Sequence, residues 1–111
     1  MSELEELKLK LRDFSMRRGW NQFHTPKNLA MALAGEMGEL LAEFQWLTPE
    51  ESGLSALSIE HFDAVKMEIA DIFLYLVSLA DLLEIDLYDA AAKKISINES
   101  RFPEVRSQPA S

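Results

Sequence analysis

Residues 34–46 read AGEMGELLAEFQW, and residues 68–79 read EIADIFLYLVSL. The first stretch carries Glu36, Glu39 and Glu43, and the second carries Glu68 and Asp71. At about 100° per residue, with Glu36 as zero, Leu29, Leu33, Met37, Leu40, Phe44 and Leu47 fall between about +20° and +100°. Glu43 and Glu39 fall at about −20° and −60°, so the acids border the apolar stripe of one helix. On the second helix Asp71 and Tyr75 flank Glu68, beside Val65, Ile72 and Leu79. Ile69, Phe73, Leu74, Val77 and Leu82 cover most of its other sides. A helix apolar nearly all round is expected to be buried, so Glu68 and Asp71 are expected inside protein.

Carboxylates three residues apart on a helix have Cβ atoms about 5–6 Å apart. At an effective dielectric near 20, two charges about 5 Å apart repel by about 3 kcal/mol. Four acids on two helices therefore need protons, basic partners or a hard divalent cation. The plain alternative is four acids turned to solvent or to Lys and Arg. The second helix offers no basic residue after Glu68, which weighs against it.

Working outward, the chain has 111 residues, suited to one domain, and 48% are hydrophobic, enough for a core. The net charge of −8 argues against polymeric nucleic acid as a partner, because a phosphate backbone needs a basic surface. It leaves room for one small polyphosphate held through a metal. There is no cysteine, so a disulfide or thiolate site is excluded. Ser2 to Lys10 is charged throughout, and Ile69 to Leu83 is short and carries Asp71 and Asp81. Neither a leader nor a membrane span is expected, and the expectation is a soluble cytoplasmic protein.

In chain order, Ser2 with Glu5 forms a capping box, and an apolar stripe predicts a helix over 3–18, ended by Gly19. Trp20 to His24 reads as a loop. Thr25-Pro26 starts a second helix, 26–47, which Thr48-Pro49 stops. Residues 48–58 read as a polar loop. Ser58 caps a third helix, 59–84, and Asp86 a fourth, 87–98. No strand pattern or repeat is present. Residues 1–103 read as one domain and 104–111 as a frayed tail. Four helices with short connections predict an all-α, antiparallel four-helix bundle. The excess apolar surface of the third helix predicts a homo-oligomer.

Oxygen-only ligands of high charge select Mg²⁺, with Mn²⁺ as a substitute, over Zn²⁺. A di-iron carboxylate bundle needs Glu-x-x-His on two helices, and neither His24 nor His61 completes that motif. Glu43 reads equally as a further metal contact or a solvated neighbour. His61 reads as an ordinary helix-start residue, and Lys93 as a helix C-terminal charge. Arg101 has the plain option of pairing with Glu99 or Glu104.

Three blocks carry a family resemblance: GEMGELLAEFQW, EIADIFLYLVSLAD and KKISINESRFP, with WNQFHTPKN before them. Over roughly residues 11–103 the chain resembles the MazG-like nucleoside triphosphate pyrophosphohydrolases, and most of all their dCTP pyrophosphatase-like branch. The resemblance implies an all-α fold, a dimer or a tetramer built as a dimer of dimers, and Mg²⁺-dependent cleavage of a (deoxy)nucleoside triphosphate to monophosphate and pyrophosphate. It implies Glu36, Glu39, Glu68 and Asp71 as metal ligands; the chemistry also needs an activated water, and Glu39, or else Glu36, is expected to orient or deprotonate it. Lys94, Asn98 and Arg101 match positions near the phosphates and sugar. Trp20, Trp46 and Tyr75 match positions around the nucleoside; stacking, worth about 1–3 kcal/mol per base, makes a sandwich of the base by the two tryptophans the expectation, and their plain reading is core or interface aromatics. His24 joins that set, though a loop hydrogen-bonding role is its plainer reading.

Vertebrate members of the branch carry a histidine nine residues before the first tryptophan, where this chain has Leu11, so the base preference does not carry over directly. dCTP or a related or modified dNTP is the first expectation, as nucleotide-pool house-cleaning. The competing readings are a catalytically silent acidic helical oligomer serving as a scaffold, and a related hydrolase acting on dUTP or phosphoribosyl-ATP.

Overall fold

The computed structural model describes residues 1–105 and contains four α-helices: α1 (Glu3–Arg17), α2 (Pro26–Phe44), α3 (Ile59–Leu82) and α4 (Leu87–Arg101). A single 3₁₀ turn, Asn21–Phe23, lies between α1 and α2. There is no strand among the described residues. The part of the expected tail at 106–111 lies outside them.

Each helix begins at the residue whose side chain can accept a free backbone N–H. Ser2 Oγ accepts from the Glu5 amide at 3.1 Å, Thr25 Oγ1 from Asn28 at 3.1 Å, Ser58 Oγ from His61 at 3.1 Å and Asp86 Oδ1 from Asp89 at 3.0 Å. α1 ends on Gly19 at φ 67°, where Trp20 N–H donates to Ser15 and Gly19 N–H to Met16. α3 ends in the same double-bonded geometry, with Ile85 N–H on Ala80 and Glu84 N–H on Asp81, but the left-handed residue is Glu84 at φ 55°.

α1 ends at Arg17, one residue before its expected end, and the other three helices differ by more. α2 stops at Phe44, three residues early, because the next amides serve a turn and the Thr48 amide goes to Glu51 Oε1 at 2.8 Å. α3 stops at Leu82, once the turn at Glu84 takes over its last carbonyls. α4 runs on to Arg101 and is stopped by Phe102, held extended in front of Pro103.

α2 packs along α3 in antiparallel register, with Glu43 against His61 at one end, and Leu29 and Val77 on one cavity at the other. α1 lies more lightly on α3, tied by the Arg12 guanidinium, which donates to both Asp81 oxygens at 2.7 and 2.6 Å. α4 makes only slight contact with the other helices. The radius of gyration is 18.0 Å, against about 13 Å for a compact chain of this length, so the four helices form an open arrangement. Leu29, Val65, Val77 and Ala80 form a thin buried core.

The expected burial of α3 on all sides is not met within one chain. Ile69 and Phe73 are 53% and 43% exposed, because only α1 and α2 flank the helix closely. Glu68 is accordingly half-buried, and Asp71, expected inside, is exposed. Among the described residues no helix is long and apolar enough to cross a membrane.

Candidate metal centre

Three of the expected acids meet. Glu36 and Glu39, one turn apart on α2, and Glu68 on α3 each present a carboxylate oxygen, and these oxygens lie within 4.8 Å of one another. Glu36 and Glu68 are half-buried and Glu39 is exposed, so the cluster is open on the Glu39 side. One oxygen of Glu36 and one of Glu68, the Oε2 of each, are sealed from solvent and have no hydrogen-bond partner.

The electrostatics follow from that placement. Burial raises the Glu68 carboxyl to about 7, helped by its contact with Glu36 and by the charge of Glu39. Burial also raises Glu36, and the charges of Glu39 and Asp71 add to the rise. A contact between two carboxyls becomes a hydrogen bond only when one holds a proton. With both ionised, the contact turns repulsive and the sealed oxygen of each carboxylate stays unpaired. A hard cation answers both problems, and an all-carboxylate donor set suits one. The cluster is compatible with metal binding on this ground.

Asp71 stays outside the close set, although its charge reaches Glu36. Tyr75, one turn further along α3, is half-buried and makes no hydrogen bond to Asp71 among the described residues. Glu43 also stands apart from the trio, and its carboxylate lies 3.2 Å from His61 Nε2.

The two tryptophans cannot enclose one base within a single chain. Trp20 precedes α2 and packs edge-on to Phe14, centroids 5.4 Å apart, with His24 beyond it at 6.3 Å. Trp46 follows the other end of α2 and is 86% exposed. The helix between them is about 28 Å long at about 1.5 Å per residue. A base lies only about 3.5 Å from each ring that stacks on it, so the two rings of one chain do not form the expected sandwich between them.

Lys94 and Arg101 are exposed on α4 and Asn98 is half-buried. None is hydrogen-bonded or ion-paired to the three glutamates among the described residues. The Arg101 guanidinium lies 5.3 Å from the Phe102 ring centroid and pairs with neither Glu99 nor Glu104. Lys93 pairs with Asp89 at 3.0 Å, and because α4 runs on to Arg101 it lies mid-helix and not at the C-terminal end expected of it.

Two features were not visible in the sequence. One is the Glu43–His61 contact, whose only trace is that His61 lies seven residues before Glu68. The other is a cavity of about 670 Å³ between α1 and the facing ends of α2 and α3, bordered by Asn21, His24, Ser15 and Ser78. No local pattern marks it, because its walls come from four separate segments.

The description of the MazG nucleotide pyrophosphohydrolase domain matches residues 24–106. The chain is 42% identical over 100 residues to dCTP pyrophosphatase 1 of Bos taurus, and 41% identical over the same length to that of Homo sapiens. Each match covers 90% of this chain and 59% of the relative, so the chain spans well under two thirds of the length of those proteins. A crystal structure of a pyrophosphatase from Archaeoglobus fulgidus superposes with a TM-score of 0.85 at 38% identity, covering 94% of this chain and 95% of that one. With the domain matched over most of its length and the acid cluster built on α2 and α3, this chain belongs to the MazG nucleotide pyrophosphohydrolase family.

Proposed function

We propose that the protein hydrolyses a (deoxy)nucleoside triphosphate to the monophosphate and pyrophosphate with Mg²⁺, Mn²⁺ being a possible substitute. dCTP or a related or modified dNTP is the first substrate choice, in keeping with the relatives named dCTP pyrophosphatase 1. The observation that carries the reading is the pair of sealed, partnerless oxygens on Glu36 and Glu68 beside Glu39.

Glu36, Glu39 and Glu68 would hold the cation, with Asp71 as a fourth ligand. A bound divalent cation supplies charge neutralisation at the phosphate oxygens and makes water more acidic. Glu39, exposed at the open side of the cluster, orients or deprotonates the attacking water, and Glu36 is the second candidate. Lys94 and Arg101 donate to the departing pyrophosphate, and Asn98 to the sugar or phosphate. Trp20, Trp46, Tyr75 and His24 border the nucleoside.

Because Trp20 and Trp46 stand at opposite ends of α2, a base stacked by both would need them from two copies. This supports a homo-oligomer, as do the exposed Ile69 and Phe73 on α3. A dimer, or a tetramer built from two dimers, in the cytoplasm completes the reading.

The test is pyrophosphate release from a panel of dCTP, dATP, dUTP, 5-methyl-dCTP and phosphoribosyl-ATP with Mg²⁺. Release from one or more deoxynucleotides is expected. A panel silent with both Mg²⁺ and Mn²⁺ would overturn the reading in favour of an inactive acidic scaffold, and turnover of phosphoribosyl-ATP alone would redirect it to that substrate.

A further inference from the structure

His61 makes a second cross-tie in the seam between α2 and α3. Its Nε2 lies 2.6 Å from the backbone oxygen of Glu43 and 3.2 Å from Glu43 Oε2. Both are acceptors, so Nε2 carries a proton and donates. The imidazole also stacks on Phe44, with centroids 6.5 Å apart and planes inclined by 26°. Meanwhile the His61 backbone N–H donates to Ser58 Oγ, the cap of α3. One residue of the capped first turn of α3 thus grips the last turn of α2.

The grip answers a local need. The last carbonyls of α2 have no partner within the helix. Gln45 N–H takes that of Leu41, Leu47 N–H takes that of Phe44, and the His61 side chain takes that of Glu43.

Its position matters more. Glu43 lies seven residues after Glu36, and His61 seven before Glu68. Seven residues return nearly to the same helix face, about 10.5 Å along at about 1.5 Å per residue. The Glu43–His61 contact is therefore the rung next to the carboxylate cluster, in the same seam and register. At the cluster, like charges push α2 and α3 apart, and among the described residues the buried core that opposes them is Leu29, Val65, Val77 and Ala80.

We infer that His61 is a positioning residue that, by donating from Nε2 to Glu43, holds α2 and α3 in the register where Glu36, Glu39 and Glu68 converge. The consequence for metal binding rests on the proposed function; the register lock itself does not. Glu43 serves as its anchor on α2.

The test compares the full chain with His61→Ala, His61→Gln and His61→Asn. Gln can bring an amide N–H to the Glu43 carbonyl; Asn is one methylene too short. In metal-free protein, amide hydrogen exchange is followed across 36–47. In parallel, each protein is titrated calorimetrically with MnCl₂. His61→Ala and His61→Asn are expected to speed exchange at the end of α2 and to weaken Mn²⁺ binding about tenfold, the lower end for loss of a group that orients metal ligands. His61→Gln is expected to stay near the parent in both. If the alanine protein fails to fold, the Gln–Asn contrast still decides. Exchange in His61→Ala or His61→Asn equal to the parent, or His61→Gln no better than His61→Asn, overturns the proposal. A parent that takes up no Mn²⁺ would instead overturn the metal reading of the cluster, while the exchange measurement alone still judged His61.

Discussion

Glu36 and Glu68 face each other across the seam of α2 and α3, and one carboxylate oxygen of each is shut away from water with no hydrogen-bond partner. Such groups are expensive in a folded protein unless something charged or protic sits between them. A proton can meet the need at low pH and a divalent cation at neutral pH. The predictions below start from that alternative.

Metal-free protein will lose stability as pH rises through the window set by Glu68. Its carboxyl is raised from 4.5 to about 7 in the folded chain. A raised acid favours the folded state fully below its unfolded value, and that advantage disappears as pH climbs through the folded value. The melting temperature of the parent relative to Glu68→Gln should therefore fall between pH 4.5 and about 7. Added MgCl₂ should reverse the fall by binding only the folded state. A difference that stays flat across the window would mean that Glu68 is well solvated.

Glu39→Gln separates ligation from chemistry. Glu39 is the exposed member of the trio, and two carboxylates remain when it is neutralised. Mn²⁺ affinity should drop by about tenfold, while kcat at saturating metal falls by about 10²-fold or more, the usual scale for loss of a general base. Near-parental kcat would assign the water to another residue.

Trp46→Ala should act on substrate and leave stability alone. The side chain is 86% exposed, so little packing is lost, and the change in unfolding free energy should stay within about 0.5 kcal/mol. If the indole stacks on a base, KM should rise by about tenfold, since a stacked base is worth about 1–3 kcal/mol. An unchanged KM with lower stability would make Trp46 an interface residue.

Glu84→Gly should stabilise the protein. Glu84 sits at φ 55° just beyond the end of α3, and it also places a negative charge at a helix C-terminus. Relief of the left-handed strain outweighs the extra freedom that glycine has when unfolded, for a net gain of about 0.5–1 kcal/mol by thermal or urea unfolding. Gly19, in the same role at φ 67°, should behave oppositely, with Gly19→Ala costing about 1 kcal/mol.

The sequence by itself determined the helices, their caps and which acids share a face of one helix. Ser2, Thr25, Ser58 and Asp86 cap where they stand because a cap concerns only a side chain and the amide three residues on. Glu36 and Glu39 share a face because 3.6 residues make a turn. The tertiary structure alone decided which side chains meet across the seam. Helical periodicity assigns each residue an angle on its own helix, but not the neighbour at that angle, which depends on how two helices slide and roll when packed. For that reason Glu68 became half-buried and Asp71 remained exposed, and His61, an ordinary helix-start residue in the sequence, reached Glu43 on the other helix.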